Sequence, residues 1–527
     1  MARFFNTTGP CYPERHYFLP PASRLRHSRL ERYIKDQLYW VLHAPRQTGK
    51  TTFLQTWMRE INESEQAIAC YVSVEVCQGI PEVERAIPGI CEAVCDYASK
   101  MLPREYVPAL SRETTPFGAL SDLMTRWAEL CAPKPLVVLF DEVDTLEGPA
   151  MISFLRQLRG GFASRGTGKF PVSVALVGMR DLRDYLAQSK DGTPVNPGSP
   201  FNIKQDSATL GNFTRDDVVA LLGQHTSESG QVFQPDAVEA IWYWSQGQPF
   251  LVNALANKCV WDITNDDPAI AITGEMVLEA KELLIQSRTT HLDALAERLK
   301  QPQVKKVIET ILVGDPSVIL GRDDRGVELC MDLGLVAWSR DEGLHIANPL
   351  YREVVPRVLN QAYHDTITKP EFRWQFPDGR LDMDALLREF QRFWRRHADL
   401  WEAKADYTEA FPHLLLMAYF QRIMNGGGRI TREYAAGRGR IDLFVEFAGE
   451  GFVVETKLVH PHDGRDTTLQ EALRQVGRYR ETVGGAAVPA WVVLFDRTES
   501  GRKLSWDERL SWTVHETPGG PVTVVGA

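Results

Sequence analysis

No apolar run in this 527-residue chain reaches the length needed to cross a membrane as a helix. The first ten residues, MARFFNTTGP, lack the basic-then-apolar order of a secretory signal. Cysteine is sparse and unpatterned: Cys11, Cys70, Cys77, Cys91, Cys95, Cys131, Cys259 and Cys330 form no CxxC, and none lies beyond Cys330. Cys91 and Cys95 stand four apart with no companion histidine cluster, so they read as buried thiols, and a reducing cytoplasm is the expected setting. Positive charge is in deficit, with a net charge of -10. Bulk charge therefore does not drive the chain onto nucleic acid, and any such binding must use local basic patches. Repeats and long low-complexity stretches are also missing. What remains is an ordinary globular composition, 44% hydrophobic and 24% charged, in a chain too long for one core.

The first ordered pattern is Gln37-Leu-Tyr-Trp-Val-Leu-His43, an apolar run of strand length. It enters a turn and then a helical pattern over Thr51–Glu60. Ala67–Val76 reads as a second strand, with helices expected near 81–101 and 117–131. Pro135–Phe140 and Val172–Val177 have the uninterrupted apolar character of parallel strands covered on both faces. Strands alternating with helices predict an α/β layer with a parallel sheet. From Thr214 to about Leu299 the periodicity is helical. Helical segments at 304–311 and 325–332 precede two short strands, 334–338 and 343–347, the order of a winged helix. Met383–Lys404 is amphipathic and carries Arg388, Arg392, Arg395 and Arg396 beside Phe390, Phe393 and Trp394, so it reads as a packed helix with one basic face. Pro370–Gly379 reads as a linker. The expected division is 1–212 nucleotide-binding core, 213–300 helical bundle, 301–360 winged helix, 361–400 linker and helix, and 401–527 a second α/β domain.

The loop after the first strand is Ala44-Pro45-Arg46-Gln47-Thr48-Gly49-Lys50-Thr51-Thr52. Backbone N–H groups there can curl around a phosphate, Lys50 can reach the β- and γ-phosphates, and Thr51 can offer a hydroxyl to Mg²⁺ at a helix N-terminus that favours anions. Leu136–Phe140 followed by Asp141 and Glu142 supplies the partner pattern: Asp141 would hold Mg²⁺ through its water shell and Glu142 would orient the attacking water. These segments resemble the Walker A and B motifs of AAA-like and STAND-type P-loop ATPases, with Ala44 where the first glycine usually stands. The resemblance covers about residues 1–360 and implies ATP as the ligand, Arg180 as a γ-phosphate sensor and Gly247-Gln248-Pro249 as a GxP turn near the nucleotide. Arg180 acting across subunits would require a homo-oligomer.

The second constellation is Asp442 on one strand and Glu455 and Lys457 two apart on the next, joined by a short turn at Phe447–Gly451. Residues two apart on a strand share a face, so the hairpin can bring all three together. Two carboxylates offer hard oxygen ligands for Mg²⁺ or Mn²⁺, and Lys457 can position a water and stabilise developing charge. The pattern resembles the PD-(D/E)xK nuclease motif. The following helix, 468–482, carries Gln475 and Tyr479 four apart, which resembles the QxxxY element of the RecB-like branch. The helix 407–424 carries Glu409, by the same resemblance a further metal ligand. Arg429, Arg432, Arg438 and Arg440 precede Asp442 and could contact phosphates or form a solvated basic loop. The resemblance, over about residues 400–500, implies cleavage of nucleic acid, DNA before RNA, with no membrane partner. The expectation is an ATP-binding and hydrolysing protein with a Mg²⁺-dependent nuclease domain, serving prokaryotic defence against phages or plasmids. Two other readings are a signalling or scaffold ATPase whose C-terminal domain binds nucleic acid without cutting, and a mobile-element nuclease.

Overall fold

A computed structural model of the chain describes residues 3–26, 30–111, 114–167, 169–179, 204–287, 290–313, 321, 324–339, 343–359, 374–402, 415–417, 419–420, 428–436, 439–459, 464–483, 488–496, 498, 501 and 503–527. Two compact units result. One comprises residues 1–289 and 321–351, the other 290–320 and 352–527.

The first unit is built on a six-stranded sheet of order β1-β6-β2-β5-β4-β3. The strands are β1 Leu25–Arg26, β2 Tyr39–His43, β3 Ile68–Ser73, β4 Leu136–Asp141, β5 Ser173–Gly178 and β6 Lys204–Leu210. All neighbouring pairs are parallel except β1 with β6. β3, β4 and β5 are buried at every position. Alternation divides β4 between two cores. Val138 and Phe140 face helices α3 (Val83–Met101), α4 (Pro116–Cys131) and α5 (Gly148–Phe162). Val137 and Leu139 face the core that holds α2 (Lys50–Glu63) and Tyr33 of α1 (Leu30–Lys35). A sheet covered on both faces needs such apolar strands, which is why β2 to β5 were readable. β6 was not, because Lys-Gln-Asp-Ser-Ala-Thr-Leu is polar, yet it lies beside β2.

Helices Arg215–Ser229, Pro235–Ser245, Pro249–Asn257 and Gly274–Gln286 follow, as the periodicity predicts. Thr214 and Asp217 form a reciprocal capping box at the first of them, which fixes its start just after the sheet. Residues 321–351 contribute the helix Arg325–Asp332 and the hairpin β7 (Val336–Ser339) and β8 (Gly343–Ile346).

In the second unit the sheet order is β13-β14-β12-β11-β10-β9. Its strands are β9 Gly428–Ala436, β10 Gly439–Phe447, β11 Glu450–Val459, β12 Ala490–Asp496, β13 Trp512–Thr517 and β14 Gly520–Gly526. β9, β10 and β11 form an antiparallel meander, and the helix Arg465–Val483 carries the chain over to β12, parallel to β11. The turn between β10 and β11 is tighter than Phe447–Gly451: Phe447 pairs with Glu450, leaving only Ala448 and Gly449, both at positive φ. That is the backbone of a two-residue hairpin turn. The β13–β14 hairpin extends the expected α-β-β-β-α-β order. One sheet face packs on the helix Met383–Glu402 through Leu386, Leu387, Phe390, Phe393 and Trp394. This core begins at Leu381, and Trp374 packs against it, so Trp374–Gly379 is tied to the unit rather than spanning open space. The opposite face packs on the helix Arg465–Val483 through Ala472, Leu473, Val476 and Tyr479.

Candidate functional sites

The first site forms where β2 runs into α2. Gly49 has φ 92°, a left-handed conformation that an L side chain resists, and it opens α2 at Lys50. Ala44, in place of the usual glycine, is buried and donates its N–H to the Gly178 carbonyl at the end of β5, so its methyl is accommodated in the core. Pro45 and Thr48 close the loop on themselves: the Thr48 hydroxyl donates to the Pro45 carbonyl at 2.8 Å. Arg46 and Gln47 form the loop's outer turn, Gln47 at φ 57°. Lys50 Nζ donates to the Ala44 and Pro45 carbonyls at 2.7 and 2.9 Å, curled over the space the loop encloses. Thr51 Oγ1 donates to Asp141 Oδ2 at 2.7 Å, which joins the ends of the two predicted motifs. The lead-in also docks here, its Cys11 N–H donating to Thr52 Oγ1 at 3.0 Å.

β3, the edge neighbour of β4, adds two residues that the sequence did not suggest. Tyr71 Oη donates to Asp141 Oδ2 at 3.2 Å, and Ser73 Oγ donates to Glu142 Oε2 at 2.5 Å. Ser73 pairs in register with Asp141, so strand order places it beside the acids. Glu142 itself sits at φ 60°, and its N–H donates to Asp141 Oδ1. Burial pushes the Asp141 carboxyl above its ordinary range, opposed by the Thr51 hydrogen bond and Lys50. Burial likewise raises Glu142, opposed by the Ser73 hydrogen bond. Burial lowers Lys50, opposed mainly by Asp141 and Asp144. Each charge is held where desolvation disfavours it, the condition a polyanion with a divalent cation relieves. Pro249 is the first residue of the helix Pro249–Asn257, and its carbonyl accepts from Asn253 Nδ2. Arg180 lies outside the described residues.

The second site lies on the β10–β11 hairpin. Glu455 is 1% exposed, and Lys457 Nζ lies 3.2 Å from its Oε1. In β12 their register partners are Val492 and Leu494, both packed under the helix Arg465–Val483, so Glu455 and Lys457 occupy that same face. Gln475 and Tyr479 are on this helix. Tyr479 is buried in its core, and Gln475 Oε1 is buried with no hydrogen-bond partner among the described residues. Leu443 pairs with Val454, so one further step of the antiparallel register sets position 442 across from 455. The side chain of Asp442 and the whole of Glu409 lie outside the described residues. Among the described residues no group of three His, Cys, Asp or Glu side chains could hold a metal. Positions 429 and 432 fall on β9 and 440 on β10, so three of the four arginines belong to the sheet rather than a loop, and Arg438 lies outside the described residues. On the helix Met383–Glu402, Arg388 stacks on Trp512, Arg392 and Arg396 pair with Glu389, and Arg395 lies 3.7 Å from Asp507.

Family models match one region in each half of the chain. Residues 33–186 match an AAA domain model and residues 407–498 a PD-(D/E)XK nuclease superfamily model. The chain thus carries an AAA-type P-loop ATPase domain followed by a C-terminal PD-(D/E)xK nuclease domain. Among solved structures it is similar to the Walker-type ATPase PABY2304 of Pyrococcus abyssi, with 15% identity, TM-score 0.46 and coverage of 67% of this chain and 99% of that one. It is also similar to the RuvB Holliday junction branch migration motor of Thermotoga maritima (12% identity, TM-score 0.33, 62% and 90% covered) and to Cdc6p of Pyrobaculum aerophilum (13%, 0.36, 64% and 93%). No curated protein sequence matches the chain.

Proposed function

We propose that this protein is an ATP-regulated nuclease that cleaves nucleic acid, DNA before RNA, with Mg²⁺ or Mn²⁺ at the cleavage site and Mg²⁺ beside ATP. The observation that carries the reading is the Glu455–Lys457 pair, set on the sheet face that the Gln475 and Tyr479 helix covers. A buried carboxylate beside an ammonium, with an amide oxygen on the covering helix that has no hydrogen-bond partner among the described residues, is a polar constellation in a place that packing alone would fill with apolar groups.

The donor chemistry suits a hard divalent cation. Glu455 and Asp442 would hold it, with Glu409 as a further ligand, and the bound cation would acidify a water and neutralise the scissile phosphate. Lys457 holds a proton donor against Glu455, where it can orient a water and meet negative charge that develops on the phosphate. Gln475 and Tyr479 would orient these groups from the helix. At the ATP site Lys50 would meet the β- and γ-phosphates. Thr51 and Asp141 would hold Mg²⁺, and Glu142, released from Ser73, would orient the attacking water. Arg180 and Pro249 would sense the nucleotide, and a winged helix would relay its state. A cytoplasmic setting fits the sparse, unpatterned cysteines, and no described helix is long and apolar enough to cross a membrane. A defence role against phages or plasmids is inferred from architecture alone.

Divalent-cation-dependent cleavage of DNA and RNA substrates by the wild type, Glu455→Ala and Lys457→Ala, each checked by melting, tests the reading. Cleavage lost in both folded variants supports it. Cleavage surviving both would remove the assigned site. Binding without cleavage in the wild type would favour a signalling or scaffold ATPase with a non-cutting domain.

A further inference from the structure

Arg24 stands behind the phosphate loop with its charge almost fully buried. Its Nη1 donates to the Thr48 carbonyl at 2.8 Å and to the Gly211 carbonyl at 3.0 Å, and its guanidinium lies 4.8 Å from the centre of the Phe213 ring. Among the described residues its Nε is buried with no hydrogen-bond partner, and the guanidinium makes no ion pair. Burial pulls the guanidinium down to about 10, so it remains a cation at neutral pH. Its hydrogen bonds go to neutral carbonyls, and the Asp217 charge acts on it only through space, so the buried guanidinium gains from a further anion nearby.

The Thr48 carbonyl and the Gly49 N–H belong to one peptide group. A cation hydrogen-bonded to the carbonyl oxygen polarises that amide and makes its N–H a stronger donor. In a phosphate loop that N–H faces the ligand. A Cβ added to Gly49 would lie 3.0 Å from Arg24 Nη2, so the glycine also makes room for this approach. We propose that Arg24 is a positioning residue for the nucleotide's phosphates: it locks and polarises the Thr48–Gly49 peptide, and the bound phosphate adds negative charge on the loop side of the guanidinium. The same guanidinium ties the loop to the connector into the helices. The Gly211 N–H donates back to the Arg24 carbonyl, and the Phe213 N–H donates to the Gly247 carbonyl, the first residue of the predicted GxP turn. Arg24 thus joins the phosphate loop to that turn through two carbonyls and one ring.

The test is the dissociation constant of ADP and of ATP, by calorimetry, for the full-length wild type, Arg24→Met and Arg24→Lys, with thermal melting of each nucleotide-free protein. Arg24→Met should melt close to wild type, because it removes a buried unpaired charge, and should bind both nucleotides about tenfold more weakly, the loss of about one charge-assisted hydrogen bond. Arg24→Lys should recover part of that loss, and kcat at saturating ATP should change less than affinity in both. Should Arg24→Met fail to fold, Arg24→Gln replaces it. A folded neutral variant binding ADP within about twofold of wild type would overturn the proposal, since that is well under one hydrogen bond. A lysine variant as weak as the neutral one would also overturn it, because the charge would then play no part.

Discussion

The two sites of this chain are assembled in opposite ways. The proposed ATP site gathers groups from distant segments: Arg24, the loop 44–52, Tyr71 and Ser73 on β3, and Asp141 and Glu142 at the end of β4. The proposed nuclease site is nearly local, a hairpin with a two-residue turn and the helix that follows it. A parallel sheet brings strand ends together at one edge, where crossover loops and helix N-termini collect. An antiparallel hairpin instead aligns residues by register, so function is read from parity along the strand. At the ATP site, distance in sequence carries little information about distance in space. At the nuclease site it carries most of it.

The comparison can be broken most severely at Lys50. Lys50→Ala should reduce ATP hydrolysis by roughly 10²- to 10³-fold, the loss expected for one preorganised electrostatic group. Melting without nucleotide should change little, since the burial that disfavours the ammonium offsets its hydrogen bonds to the loop carbonyls and its attraction to Asp141 and Asp144. A coupled phosphate-release assay with parallel melts checks both. Next, Glu142→Gln should slow hydrolysis by about 10²-fold or more while ATP still binds, as for removal of a general base. Filter binding of labelled ATP beside turnover separates the two, and loss of binding would contradict the assigned role.

A smaller effect concerns pH. Burial raises the Asp141 carboxyl above its unfolded value. Any stability from this group is therefore full below the unfolded pKa and is lost as pH rises through the higher folded pKa. Without nucleotide or metal, Asp141→Asn should melt above wild type at neutral pH, and the gap should narrow as pH falls toward the ordinary carboxylate range. A pH series of thermal melts reads this directly, and a gap that widens in acid would contradict it. The smallest effect belongs to the hairpin. Ala448 occupies a left-handed position at φ 49°, so Ala448→Gly should stabilise the C-terminal unit by up to about 1 kcal/mol. Denaturant unfolding is the check.

What the sequence showed follows from the same contrast. The loop 44–52 and the acids at 141 and 142 were legible because a buried strand leading into a glycine turn has few other uses. The shared face of Glu455 and Lys457 was legible through parity, and that of Gln475 and Tyr479 through helical spacing, while the roles proposed for them come from the motif resemblance. Ser73 and Tyr71 were hidden, since only the strand order sets β3 beside β4. β6 was hidden by its polar composition, and Arg24 by lying in an irregular proline-rich lead-in. The helix Met383–Glu402 showed its amphipathic face but not which core that face fills.

The most direct measurement of the central claim, two active sites with the nucleotide controlling cleavage, is DNA cleavage with and without ATP and Mg²⁺ by wild type, Lys50→Ala and Glu455→Ala. The account predicts Mg²⁺-dependent cleavage that responds to ATP in the wild type and not in Lys50→Ala, and no cleavage by a Glu455→Ala protein that still hydrolyses ATP. Cleavage by folded Glu455→Ala, or an equal ATP response in wild type and Lys50→Ala, would contradict it.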